Sequence, residues 1–324
     1  MALTYPQSAA ARDQWILDRR PARETVSASQ PYACFVEEEC GPDGRVEPVA
    51  TIFLTNRECP FRCTMCDLWR NTLTESVPLG AIPAQIDFAL QQLSAARVVK
   101  LYNSGSFFDP RAIPPNDYAA IADRIQHFDR VIVECHPGFV NERCPEFRSL
   151  LSGRLEIAIG LETAHPETLE KLNKRMTLQQ FSAAATFLRS HDIDLRVFIL
   201  VQPPFMRPDE ALHWASRSLD LAFDCGATAA TLIPTRGGNG AMEALAASGN
   251  FTTPSLSLLE DAAAYGLARK RGRVFTDLWN IQPEVECAHC FRSRLQRLRE
   301  MNLHQSLTPV VRCKMCGNPS SEES

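Results

Sequence analysis

The sequence contains no apolar run near the roughly 18 uninterrupted residues that a membrane helix needs, so we expect no membrane span and no membrane partner. The segment from Met1 to Arg20 is polar and carries Asp13 and Asp18. It lacks an apolar core and a small-residue cleavage site, so a secretory signal is not expected and we predict a cytoplasmic location. The net charge is only −4, which argues against a wholly basic nucleic-acid-binding protein.

The composition is that of a folded chain. Of the 324 residues, 45% are hydrophobic and 22% are charged, which excludes wholesale disorder. At about 100–200 residues per domain, this length allows one large domain, or one domain with an appendage. The charge is unevenly distributed, because ten lysines and arginines lie between Arg269 and Cys316 with only four acidic residues. We therefore expect a basic patch on an acidic body.

From residue 50 onward, apolar runs of strand length alternate with segments of helical spacing. This alternation predicts an α/β fold with a parallel sheet, and the nearly continuous apolar runs predict strands that are covered on both faces. The predicted strands are Ala50–Leu54, Val98–Tyr102, Val131–Glu134, Leu155–Leu161, Leu195–Val201 and Ala229–Ile233. Tyr32–Glu37 and Val46–Leu54 flank a turn signal and could pair as a hairpin, and Val274–Trp279 could form one more strand. Periodicity does not decide whether the sheet is open or closed into a barrel.

Cys59, Cys63 and Cys66 form a C-x3-C-x2-C motif directly after the first predicted strand. Ligands of α/β folds bind at the carboxyl ends of parallel strands, so this loop lies where a cofactor would bind. Three thiolates can hold three irons of a cubane cluster and leave the fourth iron open. The alternatives are a zinc ion held by three cysteines and three unrelated buried thiols, and the spacing disfavours both.

The cysteine motif resembles the signature of the radical S-adenosylmethionine (radical SAM) enzymes, and the resemblance extends over residues 48–235. Leu101–Phe107 resembles the loop with which that family binds the methionine end of SAM. Ile159–Thr163, followed by His165–Leu169 and Leu172–Lys174, resembles its fourth strand and the following helix. The subgroup that the sequence resembles contains the Elongator catalytic subunit and the radical SAM partner of archaeosine synthase, both of which modify tRNA. Met65 is a departure, because many members have an aromatic residue there that packs on adenine.

The resemblance implies a partial six-stranded parallel barrel with a 4Fe–4S cluster, SAM, and a reductase or ferredoxin-type electron donor. The cluster would cleave SAM reductively to a 5′-deoxyadenosyl radical that abstracts hydrogen from a substrate. Cys59, Cys63 and Cys66 would be the catalytic cluster ligands. The implied SAM contacts are Asn103, Ser104, Gly105 and Ser106 at the methionine end, Glu162 at the ribose or amino group, Gln202 at the ribose, and Ile233 with Pro234 at the adenine. For Glu162, a surface carboxylate at a helix start is the alternative.

Glu134, Cys135 and His136 end the third predicted strand and would face the same cavity. They could touch substrate, although a cysteine or histidine at such a position more often packs.

Cys287, Cys290, Cys313 and Cys316 form two CxxC pairs with 22 residues between them, a spacing typical of a metal site. Four thiolates would give a closed tetrahedral Zn²⁺ site. An auxiliary iron–sulfur cluster and unligated thiols are the alternatives. The predicted organisation is an N-terminal extension over residues 1–47, a core barrel over 48–235, and a C-terminal region with the four-cysteine site over 236–324, ending in a disordered tail from residue 318.

Four arginines between Arg292 and Arg299 lie in a helical stretch that separates the two CxxC pairs. Because arginine pairs bidentately with phosphate, one arginine face could bind an RNA backbone. A solvated helix face is the alternative, with Leu295 and Leu298 packed inward. We therefore expect a radical SAM enzyme with tRNA as one candidate partner, and a small metabolite or peptide as the other candidate substrate. The alternative that is not an enzyme is an iron–sulfur or zinc scaffold.

Overall fold

The computed structural model describes residues 5–281 and 286–316. Over these residues, eight strands form a single sheet and lie side by side in sequence order. The first strand is antiparallel to the second, and each later strand is parallel to the one before it. The strands are β1 (Ala33–Cys40), β2 (Val46–Phe53), β3 (Val98–Tyr102), β4 (Arg130–Cys135), β5 (Arg154–Glu162), β6 (Asp194–Val201), β7 (Ala229–Pro234) and β8 (Arg273–Thr276). The predicted disordered tail, from residue 318, lies outside the described residues.

Helices connect the parallel strands and cover the outer face of the sheet, as the alternating pattern predicted. They are α1 (Ala9–Leu17), α2 (Ala81–Leu90), α3 (Tyr118–Ile125), α4 (Arg143–Ser149), α5 (Pro166–Lys171), α6 (Leu178–Ser190), α7 (Ala211–Asp224), α8 (Ala241–Ala247), α9 (Leu256–Arg269) and α10 (Phe291–His304). Local side chains fix several helix starts. Thr177 and Gln180 form a capping box at the start of α6, and Ser255 caps α9.

Contacts between strands that are not neighbours show that the sheet curls around an interior. The rings of Tyr102 on β3 and Phe198 on β6 lie 6.2 Å apart, centre to centre. Side chains alternate between the two faces, because Leu101 enters the outer core under the helices while Tyr102 faces the interior. The fold is therefore an α/β partial barrel, which confirms the predicted class. Its parallel part also includes β8, which overlaps the segment Val274–Trp279 predicted as an additional strand.

An ionic layer crosses the interior near the amino ends of the parallel strands. It consists of Glu37, Glu39, Lys100, Glu156, Arg196 and Arg273. Lys100 Nζ donates to Glu39 Oε2 at 2.7 Å, and Arg196 Nη2 donates to Glu39 Oε1 at 2.5 Å. Arg196 Nε also donates to Glu156 Oε1 at 2.5 Å. Since buried charges are tolerated only when paired, the layer ties β1, β3, β5, β6 and β8 together.

Helix α10 covers the exposed edge of β8 with two amide side chains. Gln305 Oε1 accepts the Val274 N–H at 2.6 Å, and its Nε2 donates to Val274 O at 3.0 Å. One turn earlier, Asn302 makes the same pair of contacts with Thr276, at 2.8 and 2.9 Å. The two amides therefore satisfy backbone groups that a further strand would otherwise pair.

The predicted division of the chain at residues 47 and 235 stays a prediction. Strand β1 comes from the predicted N-terminal extension and β8 from the predicted C-terminal region, and both are part of the one sheet. Over residues 5–281 and 286–316, every helix is too short or too polar to cross a membrane.

Replacing Arg196 with methionine should lower the free energy of unfolding by about 3–5 kcal/mol, because Glu39 and Glu156 would lose a buried cationic partner. Denaturant unfolding measures the change. The matched control is Arg207→Met, since Arg207 is 72% exposed in its pair with Asp209 and its replacement should lower the free energy of unfolding far less. An equal loss of unfolding free energy in the two variants would contradict the claim that the ionic layer stabilises the fold.

The same layer predicts a pH dependence. Burial alone would raise the pKa of Glu39, but the charges of Arg196 and Lys100 lower it overall. The stabilisation is therefore fully present above the unfolded-state pKa of about 4.3 and is lost as the pH falls further. Unfolding of the wild-type protein at a series of acidic pH values would measure this loss.

Candidate active site and metal centres

The three cysteines of the C-x3-C-x2-C motif lie in the loop that follows β2, at the carboxyl edge of the sheet. All three side chains are half-buried, and none forms a disulfide. Burial raises the pKa of each thiol to about 12, and in each case the charge of another cysteine of the triad adds to the rise. The three thiols are therefore close enough to influence one another's ionisation.

The loop after β3 packs directly against the cysteine loop. A Cβ atom on Gly105 would lie 3.3 Å from Cys59 Cβ, so the close approach depends on a residue without a side chain. Ser104 adopts a φ of 54°, and its hydroxyl lies 2.9 Å from the Tyr32 hydroxyl. Among the described residues, the buried Oδ1 of Asn103 has no hydrogen-bond partner. A buried acceptor of this kind is available to a donor group of a ligand.

Glu134, near the end of β4, holds this loop through hydrogen bonds to its backbone. Its Oε1 accepts the N–H of Asn103 at 2.6 Å and that of Gly105 at 3.3 Å. Burial raises the pKa of Glu134, and these backbone donors lower it by less. Glu134 therefore fixes the loop that lies beside the triad.

Glu162, the last residue of β5, forms a buried ion pair with Lys174, whose Nζ lies 2.7 Å from Glu162 Oε1. Burial would lower the pKa of Lys174, but Glu162 and the nearby sulfurs of Cys63 and Cys59 raise it overall. Glu162 is 7% exposed, so it is not a surface carboxylate at a helix start. The ammonium of Lys174 thus lies beside the cysteine triad.

Gly160 leaves the room that this ion pair occupies. A Cβ there would lie 2.1 Å from Glu162 Oε1 and 2.7 Å from Lys174 Nζ. A bulge in the pairing with β6 separates Gly160 from Glu162, which adopts a φ of 65°. Sequence reasoning missed the role of Lys174, because helix α5 separates it from β5 and no motif spacing connects the two.

His136 is a buried positioning residue. Burial and the charge of Lys174 lower the pKa of His136 to about 3, so the ring is neutral. Its Nδ1 accepts the Gly138 N–H at 3.0 Å, and its Nε2–H therefore donates to Lys174 O at 2.8 Å. The ring stacks on Phe61 of the cysteine loop at 3.7 Å between centres. Ser106 Oγ accepts the His136 N–H at 2.9 Å, so both residues brace the loop.

The remaining predicted SAM contacts also lie at the carboxyl edge. Gln202 follows β6 with a φ of 53°, and its Nε2 donates to O and Oγ1 of Thr252, both at 2.7 Å. Ile233 is half-buried on β7. Ser104, Glu162 and Gln202 therefore all have positive φ at strand ends, a strained backbone that is typical of functional sites. Their contacts with SAM stay predictions.

The N-terminal helix α1 packs over the cysteine loop, a feature that sequence reasoning missed. Trp15 and Ile16 form a hydrophobic cluster with residues of α8, and Met65 packs against it. The Tyr5 hydroxyl lies 2.7 Å from Thr64 Oγ1 within the cysteine loop. These contacts are far apart in the sequence, so no local pattern indicated them. They hold the loop between α1 and the barrel.

The four C-terminal cysteines have the spacing that a single ion needs. Thiolates around one tetrahedral zinc would lie about 3.8 Å apart, since Zn–S bonds are about 2.3 Å. Within the described chain, the one group of three or more such ligands whose donor atoms all lie within 4.8 Å is the C-terminal one. The triad is a separate candidate site, and its interaction with the charge of Lys174 suits an anionic inorganic group.

The four cysteines of the C-terminal region come together as the CxxC spacing predicted. The sulfurs of Cys287 and Cys313 lie 3.9 Å apart, and those of Cys290 and Cys316 lie 3.8 Å apart. These separations equal the edge of the tetrahedron around one ion. Backbone N–H groups lower the pKa of Cys313, which favours its thiolate form.

The prediction of one arginine face on α10 is wrong for two of its four residues. Arg294 Nε donates to Glu260 Oε2 at 2.9 Å, and Arg297 Nη1 donates to Glu260 Oε1 at 3.1 Å. Both arginines are buried and dock α10 on α9. Arg292 and Arg299 are exposed, so the surface available to phosphate is smaller than the charge count suggested.

Two curated relatives are similar to this chain in sequence. An uncharacterised protein of Methanocaldococcus jannaschii is 23% identical over 91% of this chain and 88% of its own length. Archaeosine synthase subunit beta of Methanosarcina acetivorans is 29% identical over 49% of this chain, and the match spans 48% of that subunit. No family model matches the chain.

Solved radical SAM structures are also similar. The methyltransferase TsrM of Kitasatospora setae is 18% identical with a TM-score of 0.43, over 57% of this chain and 35% of its own. Archaeal Elp3 of Methanocaldococcus infernus is 12% identical with a TM-score of 0.49, over 68% of this chain and 58% of its own. Both TM-scores are below 0.5, so neither similarity carries an argument about this chain. The sequence similarity to archaeosine synthase subunit beta, over about half of this chain, supports the resemblance to the radical SAM subgroup that the sequence indicated.

Replacing Gly160 with alanine should lower the free energy of unfolding by about 1–3 kcal/mol, because the new methyl group would displace the Glu162 carboxylate. A double-mutant cycle with Glu162→Ala checks the cause. When the carboxylate has been removed first, Gly160→Ala should lower the free energy of unfolding by less, because the clashing atom is gone. If the losses of unfolding free energy caused by Gly160→Ala and Glu162→Ala simply add in the double variant, the glycine does not accommodate the ion pair.

Proposed function

We propose that this protein is a radical SAM enzyme that cleaves SAM reductively at the carboxyl edge of its partial barrel. The observation that carries the proposal is the convergence there of the cysteine triad, the buried Glu162–Lys174 pair and the Gly105 loop. When bound, the cluster would supply the electron that breaks a sulfur–carbon bond of SAM to give the 5′-deoxyadenosyl radical. A reductase or ferredoxin-type protein is the proposed electron donor.

The residues around the triad support this assignment by their charge. Ligation would convert three thiols of raised pKa into thiolates, so the site must stabilise negative charge. The ammonium of Lys174 lies beside the sulfurs, and Arg62 Nη1 donates to Cys59 O at 2.5 Å. The unpaired Oδ1 of Asn103 suits a donor such as the SAM amino group.

We assign the C-terminal four-cysteine group to one zinc ion with a structural role. The sulfur separations of 3.8 and 3.9 Å suit four ligands around a single ion, whereas an auxiliary cluster would place each thiolate on a different iron. Cys290 directly precedes α10, so the metal would hold the start of the helix that covers the β8 edge.

The proposed substrate class is a tRNA nucleobase, supported by the similarity over half of this chain to a subunit of archaeosine synthase. The exposed side chains of Arg292, Arg299, Arg312 and Lys314 near the four-cysteine group could contact phosphates. A small metabolite or peptide is the alternative substrate, and the burial of Arg294 and Arg297 favours it.

Replacing Cys63 with alanine should abolish formation of 5′-deoxyadenosine from SAM, because the cluster would lose one of three ligands. The test is product analysis after anaerobic reconstitution and addition of a strong reductant. Cys225→Ala is the matched control, since Cys225 lies at the end of α7 away from the triad and should leave the product unchanged. A wild-type protein that holds a cluster and forms no product would favour the scaffold alternative.

Metal analysis of anaerobically purified protein should give about four irons and one zinc per chain. Replacing Cys313 with serine should remove the zinc and lower the thermal stability while the iron is retained, because the two sites use different cysteines. About eight irons without zinc would contradict the assignment of the C-terminal group.

A further inference from the structure

Above the ionic layer, aromatic side chains line the interior of the partial barrel. They form an aromatic belt that consists of Phe35, Phe53, Tyr102, Phe198 and Trp279. Neighbouring rings in the belt have centres 5.9–6.2 Å apart, within the range of favourable ring contacts. The belt crosses the interior, because its members come from β1, β2, β3 and β6 and from the segment after β8.

The belt borders open space. The apolar side chains below it, such as Val49 and Ile132, are at most 1% exposed, whereas every ring of the belt is half-buried or exposed. Trp279 is 63% exposed. Tyr102 is the last residue of β3 and directly precedes the loop that packs on Cys59, so the belt begins beside the proposed SAM site.

Trp279 is held in place despite its exposure. Its backbone N–H donates to Asp277 Oδ1 at 2.9 Å, and Arg236 bridges Asp277 Oδ2 and the backbone carbonyl of Trp279. Its ring lies nearly parallel to that of Phe35, with an interplanar angle of 7°. An exposed indole on an anchored backbone, parallel to a neighbouring ring, is a platform for a flat ring, since stacking gains most when little conformational entropy is lost.

The polar groups of the belt limit what it can bind. The Tyr102 side chain is only half-buried, so its hydroxyl can bond to a heteroatom at the edge of a ring. The neighbouring cations Lys100 and Arg196 are paired with carboxylates in the ionic layer and offer no free charge. This combination suits an uncharged planar ring with polar edges.

We propose that the aromatic belt is the substrate subsite, and that the reacting part of the substrate is a planar heteroaromatic ring that stacks on Trp279. The inference rests on the proposed function, because the hydrogen to be abstracted must lie close to the SAM site. It favours a nucleobase or similar ring over an aliphatic metabolite.

Binding of small probes to the reconstituted protein tests the subsite without any turnover. Guanosine and indole are the ring-bearing probes, and ribose and alanine are the ring-free counterparts. Titrations contain SAM but no reductant, so SAM stays intact. We expect only the ring-bearing probes to bind, Trp279→Ala to weaken them at least about fivefold, and Trp279→Phe to retain most of the affinity. Trp279 is exposed, so both variants should fold.

Trp214→Ala is the matched control, because Trp214 lies on α7 against His165 and outside the barrel interior. Its affinity for the probes should equal that of the wild type. Equal binding of ring-bearing and ring-free probes, absence of ring binding, or unchanged affinity in Trp279→Ala would overturn the proposal. Displacement of the rings by SAM would also overturn it, because the belt would then hold the adenine of SAM.

A parallel assay separates this proposal from the proposed function. Reductant is added to the same wild-type sample, and 5′-deoxyadenosine is measured. If no product forms, the proposed function fails, while the titrations still decide whether the belt binds flat rings. If product forms and the rings do not bind, only the substrate subsite is wrong.

Discussion

The ionic layer is the constraint on which the rest of the structure depends. Glu39 bridges Lys100 and Arg196, and Glu156 continues the pairing to Arg273, so strands that never hydrogen-bond to one another are tied across the interior. Such a layer is stable only with every charge paired, which fixes the curvature of the sheet. It closes the interior near the amino ends of the parallel strands, and the loops at their carboxyl ends surround the opening.

That opening holds a site built from constrained backbone. The cysteine loop is fixed from outside by α1 and from within by the stack of Phe61 on His136. Glu134 holds the neighbouring loop through its backbone N–H groups, and Gly160 leaves room for the Glu162–Lys174 pair. These contacts are made within the protein itself, so the geometry is preorganised, as the proposed radical chemistry would require.

Much of the fold could be predicted from the sequence, because strand and helix periods are local. The apolar runs at Val98–Tyr102 and Ala229–Ile233 correspond closely to β3 and β7, and the CxxC spacing located the four-cysteine group. Contacts between distant residues could not be predicted in this way. The pairing of Lys174 with Glu162, the burial of Arg294 against Glu260, and the packing of α1 on the cysteine loop all depend on tertiary structure, which no periodicity records.

Electron paramagnetic resonance of the reduced, anaerobically reconstituted protein, recorded with and without SAM, tests the central claim most directly. A cubane cluster with one iron free of protein ligands should give a signal whose shape changes when SAM binds, and Cys63→Ala should lose that response. Absence of a cluster, or a cluster signal that saturating SAM leaves unchanged, would contradict the account.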